Sequence, residues 1–108
     1  MNVQVTNFPV DNLLAGSFPQ ITKVVTLLTG TDYKRGDVLE VNVSGKAVKL
    51  ADGTKAKYIL AEDADATSSD VDALVYTTGQ FHVSECDLNS QAQADVEEAL
   101  HLRSLFLK

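Results

Sequence analysis

The sequence predicts a mainly β fold of the α+β class, a small β-meander or barrel-like domain with one C-terminal helix and an extended N-terminal arm. Three observations predict it. After Pro19, short apolar and β-branched runs alternate with glycine-containing turns. A stretch with helical spacing and a capping signal occurs once, near the C-terminus. The residues before Gly16 sustain neither helical nor strand periodicity.

The start of the chain is predicted to be an extended arm at residues 1–16, ahead of a single β-rich domain at residues 17–108. Pro9 interrupts the arm and Gly16 ends it. Residues 2–6 alternate polar and apolar side chains, which is typical of a strand. Such a strand pairs either within this domain or with the sheet edge of a partner, and the pattern leaves both alternatives open.

Five strands are predicted in the domain, at residues 21–29, 37–43, 46–50, 57–61 and 71–78. Glycine at a turn permits the positive φ that tight hairpins need. Tight turns are therefore expected at Ser44-Gly45, Asp52-Gly53 and Gly79-Gln80.

Two of these strands differ in how they are expected to be buried. Leu39, Val41 and Val43 alternate with polar residues, which predicts one buried and one solvated face. The run Tyr58-Ile59-Leu60-Ala61 is apolar on both faces. It is therefore expected to lie centrally, or to be covered by a second layer or a neighbouring subunit.

The helix is predicted at about residues 91–103. Ser90 is expected to cap it together with Gln93, three residues later. Acidic residues in the early turns and Arg103 in the last suit the helix dipole. The apolar face is expected to comprise Ala92, Val96, Ala99 and Leu100. Residues 105–107 are predicted to form a closing strand or a hydrophobic anchor.

Length and charge limit the function. A chain of 108 residues with 44% apolar content supports one core. Its net charge is −6, and its densest basic feature is the pair Lys34-Arg35, which we assign to solubility; nucleic acid is therefore not an expected partner. A single cysteine, Cys86, favours a reducing compartment. No apolar run approaches the length that crosses a membrane, so no membrane partner is expected.

The sequence offers few residues for catalysis or metal binding. His82 and Cys86 share a face on a strand but would lie about 13 Å apart, too far to act as a base and nucleophile unless a turn intervenes. His101 adds a third soft ligand without a recognisable zinc spacing. No Gly-rich phosphate loop is present. We therefore predict no enzyme activity, no catalytic residue, no metal site and no cofactor.

An acidic stretch at residues 62–72 superficially resembles a calcium loop. Counted from Asp63, such a loop needs Gly at its sixth position and Glu at its twelfth, where this chain has Ser68 and Leu74. A solvated acidic turn is the interpretation that we favour.

The order of motifs resembles the lambda-type head decoration family of bacteriophages. The resemblance spans about residues 17–108, and its specificity comes from the order and spacing of common fragments. The segments that carry it are Phe18-Pro19-Gln20-Ile21-Thr22, residues 33–39 (Tyr-Lys-Arg-Gly-Asp-Val-Leu), residues 56–61, residues 71–81 ending in Gly-Gln-Phe, and residues 102–108 after the helix. Lys57 and Ser104 stand where the family often has glycine.

The resemblance implies a structural virion protein, made in the bacterial host cytoplasm. It implies a homotrimer that binds the outer surface of the capsid and stabilises the expanded head, with the major capsid protein as partner. In the family the N-terminal arm is the main capsid contact. Carried over to this chain, the apolar contacts are expected to be Val3, Val5, Phe8 and Pro9.

The sequence also allows two competing functions. Residues 36–41 resemble a strand and turn of biotinyl and lipoyl carriers, which would make the protein a carrier or small-ligand-binding β-domain. Such carriers modify a lysine at a hairpin tip, and Lys46 follows Ser44-Gly45 without a neighbouring Met. An enzyme that depends on Cys86 is the other alternative.

Overall fold

The computed structural model of the protein describes residues 20–108. Within these residues, the regular structure comprises eight strands and one α-helix. The strands are β1 Ile21–Leu27, β2 Asp32–Tyr33, β3 Val38–Val41, β4 Ala47–Lys49, β5 Tyr58–Leu60, β6 Ala64–Asp65, β7 Val71–Phe81 and β8 Leu105–Leu107. The helix, α1, comprises Gln93–His101, and short 3-10 helices lie at Gly53–Lys55 and Val83–Glu85.

The main sheet is a barrel-like ring of five strands with a sixth attached. Its order is β1-β4-β3-β5-β7-β8, and β7 also pairs with β1, which closes the ring. β2 and β6 form a separate two-stranded sheet. β5 pairs with β3 and not with β4, its predecessor in the chain. The predicted class, mainly β and barrel-like with a single helix, is confirmed.

The barrel interior contains one of two hydrophobic clusters. Every strand of the ring contributes at least one side chain to it, because alternate residues of a strand point to the same face. Leu27, Leu39, Ala47, Leu60 and Val75 are each at most 1% exposed. Tyr58, Ala73, Tyr33 and Ala66 complete the interior cluster.

The second cluster lies between the outside of the sheet and α1. Val96 and Leu100 of the helix pack against Ile59 and Leu105, and all four are fully buried. β5 therefore has Leu60 in the interior cluster and Ile59 in the outer one. The prediction that this strand is covered on both faces is confirmed, and the closing strand, β8, is confirmed by its parallel pairing with the end of β7.

The helix begins later than the sequence predicted. Its N-cap residue is Ala92, which makes no side-chain capping bond, so the predicted cap at Ser90 is wrong. Asn89 and Ser90 have φ values of 52° and 67°. An N-cap residue needs extended backbone to aim its oxygen at the first turn, and Ser90 stands in a left-handed turn instead. Arg103 lies beyond the last helical residue.

Only one of the three predicted tight turns forms. Gly45 has φ of +83° in the β3–β4 hairpin, where the Asn42 side chain accepts bonds from the backbone of Ser44 and Lys46. The prediction of a hairpin turn at Asp52-Gly53 is wrong, because these residues start a 3-10 helix. Gly79 has the positive φ that the prediction expected, +145°, but it lies inside β7 and not in a turn. Val43 is exposed, because β3 ends at Val41.

Candidate functional site

The residues predicted to contact the capsid, Val3, Val5, Phe8 and Pro9, lie outside the described residues. The described chain starts at Gln20, immediately before β1. The first five described residues, 20–24, are all exposed. Ile21 retains 57% and Val24 60% of their accessible surface. The point at which the predicted arm joins the barrel is therefore on the surface of the described domain.

A cleft opens in the barrel wall beside this point. β1 pairs with β7 from Ile21 to Leu27, but it pairs with β4 at a single position, Leu27 opposite Ala47. The gap has a volume of about 440 Å³. Residues 23–26 of β1 line it together with Val41, Gly45, Ala47, Lys57 and Tyr58.

Two lysines lie around one aromatic ring in this cleft. Lys23 Nζ donates a 3.2 Å hydrogen bond to the Tyr58 hydroxyl and lies 5.4 Å from the ring centroid. Lys57 Nζ lies 5.4 Å from the same centroid. Neither ammonium group forms an ion pair with a carboxylate of residues 20–108. The cleft is thus locally cationic on a chain of charge −6.

His82 and Cys86 are connected through a backbone carbonyl and not through the His82 ring. A 3-10 helix, Val83–Glu85, lies between them, and Cys86 Sγ donates to the His82 carbonyl oxygen at 3.5 Å. Burial raises the pKa of the Cys86 thiol to about 12, and the charge of Glu85 adds to the shift. The thiol is therefore protonated at neutral pH, and a reactive cysteine needs the opposite shift.

His101 lies on α1, apart from this pair, with its ring 5.1 Å from that of Phe106 in an edge-on contact. Within residues 20–108, no group of three His, Cys, Asp or Glu side chains could hold a metal ion. No helix in the same part of the chain is long and apolar enough to span a membrane.

The carboxylates of the acidic stretch bind separate backbone and side-chain donors. Asp65 Oδ1 accepts from the amide and hydroxyl of Thr67, and these bonds lower the pKa of Asp65. Asp70 accepts from Lys46 Nζ at 2.6 Å and from the Thr29 amide, and these bonds likewise lower the pKa of Asp70. The bonds of Asp65 are local and fix a turn, whereas those of Asp70 connect the stretch to Thr29, just after β1, and to the β3–β4 hairpin. Within the stretch, Ala64–Asp65 forms the two-residue strand β6, which pairs with β2.

Lys46, the residue that the carrier hypothesis would modify, follows the tip of the β3–β4 hairpin. Its ammonium group is paired with Asp70 across a 2.6 Å contact. A carrier lysine must be displayed free for modification. This arrangement does not favour the carrier hypothesis.

Arg35 has a structural role that the sequence analysis missed. Its Nη1 donates to the Ala61 carbonyl at 2.8 Å and to the Tyr76 hydroxyl at 2.9 Å, while its amide donates to Asp63 Oδ1. The assignment of Arg35 to solubility is therefore wrong. The signal in the sequence was its place before Gly36 and Asp37, in a turn in which the structure also buries Asp37 to 5% exposure.

Comparison with known proteins matches nearly the whole chain to one family. A family model described as bacteriophage lambda head decoration protein D matches residues 3–105. No curated protein matches the chain. The matched range includes the residues before β1 as well as the barrel, α1 and the first residue of β8. The resemblance identified from the order of sequence motifs is thereby confirmed.

Proposed function

The chain belongs to the bacteriophage lambda head decoration protein family, and on this premise we propose that it binds the outer surface of a phage capsid as a homotrimer and stabilises the expanded head. Head decoration proteins are structural parts of the virion. The family match over residues 3–105 is the observation that carries the proposal. The partner is the major capsid protein, and synthesis takes place in the cytoplasm of the bacterial host.

The same proposal assigns different roles to the arm and to the domain. Residues 1–16 act as an arm that contacts the capsid, and residues 17–108 form the domain that trimerises on its surface. The exposed start of β1 supports this division, because an arm that leaves a surface strand is free to extend towards a neighbour. Val3, Val5, Phe8 and Pro9 supply the apolar contacts of the arm. Alternating side chains such as Val3 and Val5 suit pairing with a sheet edge.

The oligomeric state is tested by light scattering. The molar mass of the full chain is measured at several concentrations beside that of a chain that starts at Ser17. We expect trimers of both, since the barrel domain carries the contacts between copies. Monomers of both at every concentration would contradict self-assembly and leave only assembly on the capsid.

Binding is tested on undecorated, expanded heads of the phage that encodes the chain. Heads are sedimented with the full chain and with the chain that starts at Ser17, and the stability of the heads is measured by thermal disruption. We expect the full chain to co-sediment and to raise the disruption temperature, and the shortened chain to do neither. Absence of binding by the full chain would refute the proposed function.

The arm residues are tested by a matched pair of double variants. Val3→Asp with Val5→Asp places charge on the apolar positions of the alternating segment, and Asn2→Asp with Gln4→Asp adds the same charge to its polar positions. Because burying an unpaired carboxylate is costly, the first double variant is expected to lose most binding and the second to keep it. Equal losses would assign the effect to net charge.

A further inference from the structure

We propose that the open edge of β1 binds an extended, acidic strand of the capsid surface, which adds to the sheet at Thr22 and Val24 and places a carboxylate near Lys23 and Lys57. This inference rests on the proposed function and names a second contact with the same partner. It assigns a binding role to the barrel itself, in addition to the arm.

The first argument is the direction of the main-chain groups of β1. In a strand, the N–H and C=O of one residue point to one neighbour, and those of the next residue point to the other. The Leu28 amide donates to the Ala47 carbonyl at 3.0 Å, on the β4 side. Residues of the same parity, Thr22, Val24 and Thr26, therefore point their main-chain groups to that side as well.

The main-chain groups of Thr22 and Val24 lie on this side without a partner in β4. The sole ladder position between β1 and another described strand on this side is Leu27 opposite Ala47, so Thr22 and Val24 extend past the start of β4. On the opposite side, β7 pairs with β1 throughout. Unpaired main-chain groups on a sheet edge are a template for an added strand.

The second argument is the width and lining of the gap. Val24 lines a cleft of about 440 Å³, which also has Val41 and Tyr58 among its lining residues. Val25 is partly buried against the interior cluster, whereas Val24 is 60% exposed. An added strand would therefore gain main-chain bonds and cover apolar surface in one step.

The third argument is charge, which selects the partner. Lys23 and Lys57 both approach the Tyr58 ring at 5.4 Å, and neither pairs with a carboxylate of the described chain. An incoming strand with Asp or Glu would complete this arrangement. Edge lysines deter pairing with like-charged strands. Two copies of β1 placed edge to edge would bring their Lys23 ammonium groups together, so a second copy is a poor occupant.

The chain's own N-terminal segment is also a poor match. Residues 1–19 contain a single side-chain carboxylate, Asp11, outside the alternating stretch at residues 2–6. A partner strand with acidic residues satisfies both lysines better than this segment does.

The first experiment measures amide hydrogen exchange in peptides that contain Thr22 and Val24, for the free protein and for the protein bound to expanded heads. We expect rapid exchange in the free protein and at least about tenfold slower exchange on heads, because an edge amide that gains a main-chain acceptor is protected. Binding without protection would overturn the inference and leave the proposed function intact. Protection already present in the free protein would assign the edge to the chain's own arm, or to a second copy if it depends on concentration, and either result overturns the inference.

The second experiment compares Val24→Pro with Val24→Thr. Proline removes the amide donor of Val24, which points to the cleft, and leaves the bonds to β7, and proline is tolerated on edge strands. Threonine keeps the amide and a similar shape. With unfolding curves to check that both variants fold, Val24→Pro is expected to bind heads about tenfold more weakly than Val24→Thr, the loss equivalent to one hydrogen bond. Equal binding of the two folded variants would refute strand addition.

The third experiment reverses the charges. Lys23→Glu with Lys57→Glu is compared with Lys55→Glu and Lys108→Glu, which make the same change at exposed lysines outside the cleft lining. We expect about tenfold weaker binding of the cleft variant and a reduced dependence of its affinity on salt. If both double variants weaken binding alike, the acidic character of the partner strand is refuted.

Discussion

Arg35 Nη1 lies 2.9 Å from the hydroxyl of Tyr76, to which it donates a hydrogen bond, and the same nitrogen donates to the Ala61 carbonyl at 2.8 Å. The guanidinium carbon also lies 5.7 Å from the Tyr76 ring centroid. Through these contacts, the turn before β3 is attached to β7 and to the end of β5. A residue in a surface turn thereby fixes the position of two barrel strands.

This relationship predicts the effects of two substitutions. Tyr76→Phe removes one hydrogen bond to a charged donor and is expected to lower the free energy of unfolding by about 1–2 kcal/mol. Arg35→Ala leaves the Ala61 carbonyl and the Tyr76 hydroxyl without this donor, so about 2–3 kcal/mol is expected. Urea unfolding measures both. If the double variant loses the sum of the single losses, the two residues are not coupled.

Substitution by alanine is expected to cost more stability at Gly79 than at Gly45. At Gly79, φ is +145°, and an added Cβ would lie 2.8 Å from Phe81 Cζ and 3.0 Å from Cε2. We expect Gly79→Ala to cost about 2–4 kcal/mol of stability, from strain and overpacking together. Gly45 has φ of +83° but no atom within 4 Å of its added Cβ, so Gly45→Ala should cost only about 1 kcal/mol. Thermal unfolding compares them, and equal losses would assign the whole effect to φ.

Leu100 in α1 and Leu102, directly after its last residue, form a matched pair of leucines. Leu100 is fully buried in the outer cluster, and Leu102, two residues later, is 82% exposed. Leu100→Ala should lower the free energy of unfolding by about 2–5 kcal/mol, because it leaves a cavity under α1. Leu102→Ala should change it by no more than about 0.5 kcal/mol. A loss at Leu102 as large as that at Leu100 would mean that this exposed leucine is covered in the assembled protein, which a dependence on protein concentration would reveal.

The buried Cys86 thiol is expected to react slowly and to make the folded protein less stable at alkaline pH. Because burial raises the pKa of its thiol to about 12, the folded protein should react slowly with a thiol reagent at pH 8 and rapidly once unfolded in urea. A thiol in an unfolded chain has a pKa of about 8.5. As pH rises above about 8.5, the unfolded chain releases a proton that the folded protein retains, so stability falls.

The control for this prediction is Cys86→Ala. Burial also raises the pKa of Tyr33, so alkaline destabilisation should persist in this variant with a smaller slope between pH 8 and 10. Identical slopes for the two proteins would show that Cys86 titrates alike in the folded and unfolded states.

The sequence by itself determined the features that depend on local pattern. The run Tyr58-Ile59-Leu60 is apolar at every position, which is stable only if both faces of the strand are covered, and the structure buries all three. The turn at Ser44-Gly45, the single C-terminal helix and the closing strand follow from signals within a few residues. The family followed from the order of such signals along the chain.

The tertiary structure alone decided which strands are neighbours and what the polar residues do. The apolar patterns of β3, β4 and β5 are compatible with several strand orders, and non-local pairing placed β3 between the other two. Gly53 packs closely against α1, where an added Cβ would lie 3.3 Å from Asp95 Cβ, although its sequence indicates a hairpin. The cleft beside Lys23 arises because β1 extends past the start of β4. Periodicity fixes which face of a strand is buried, whereas the partner at each edge is chosen by main-chain bonds to distant residues, which leave no local signal.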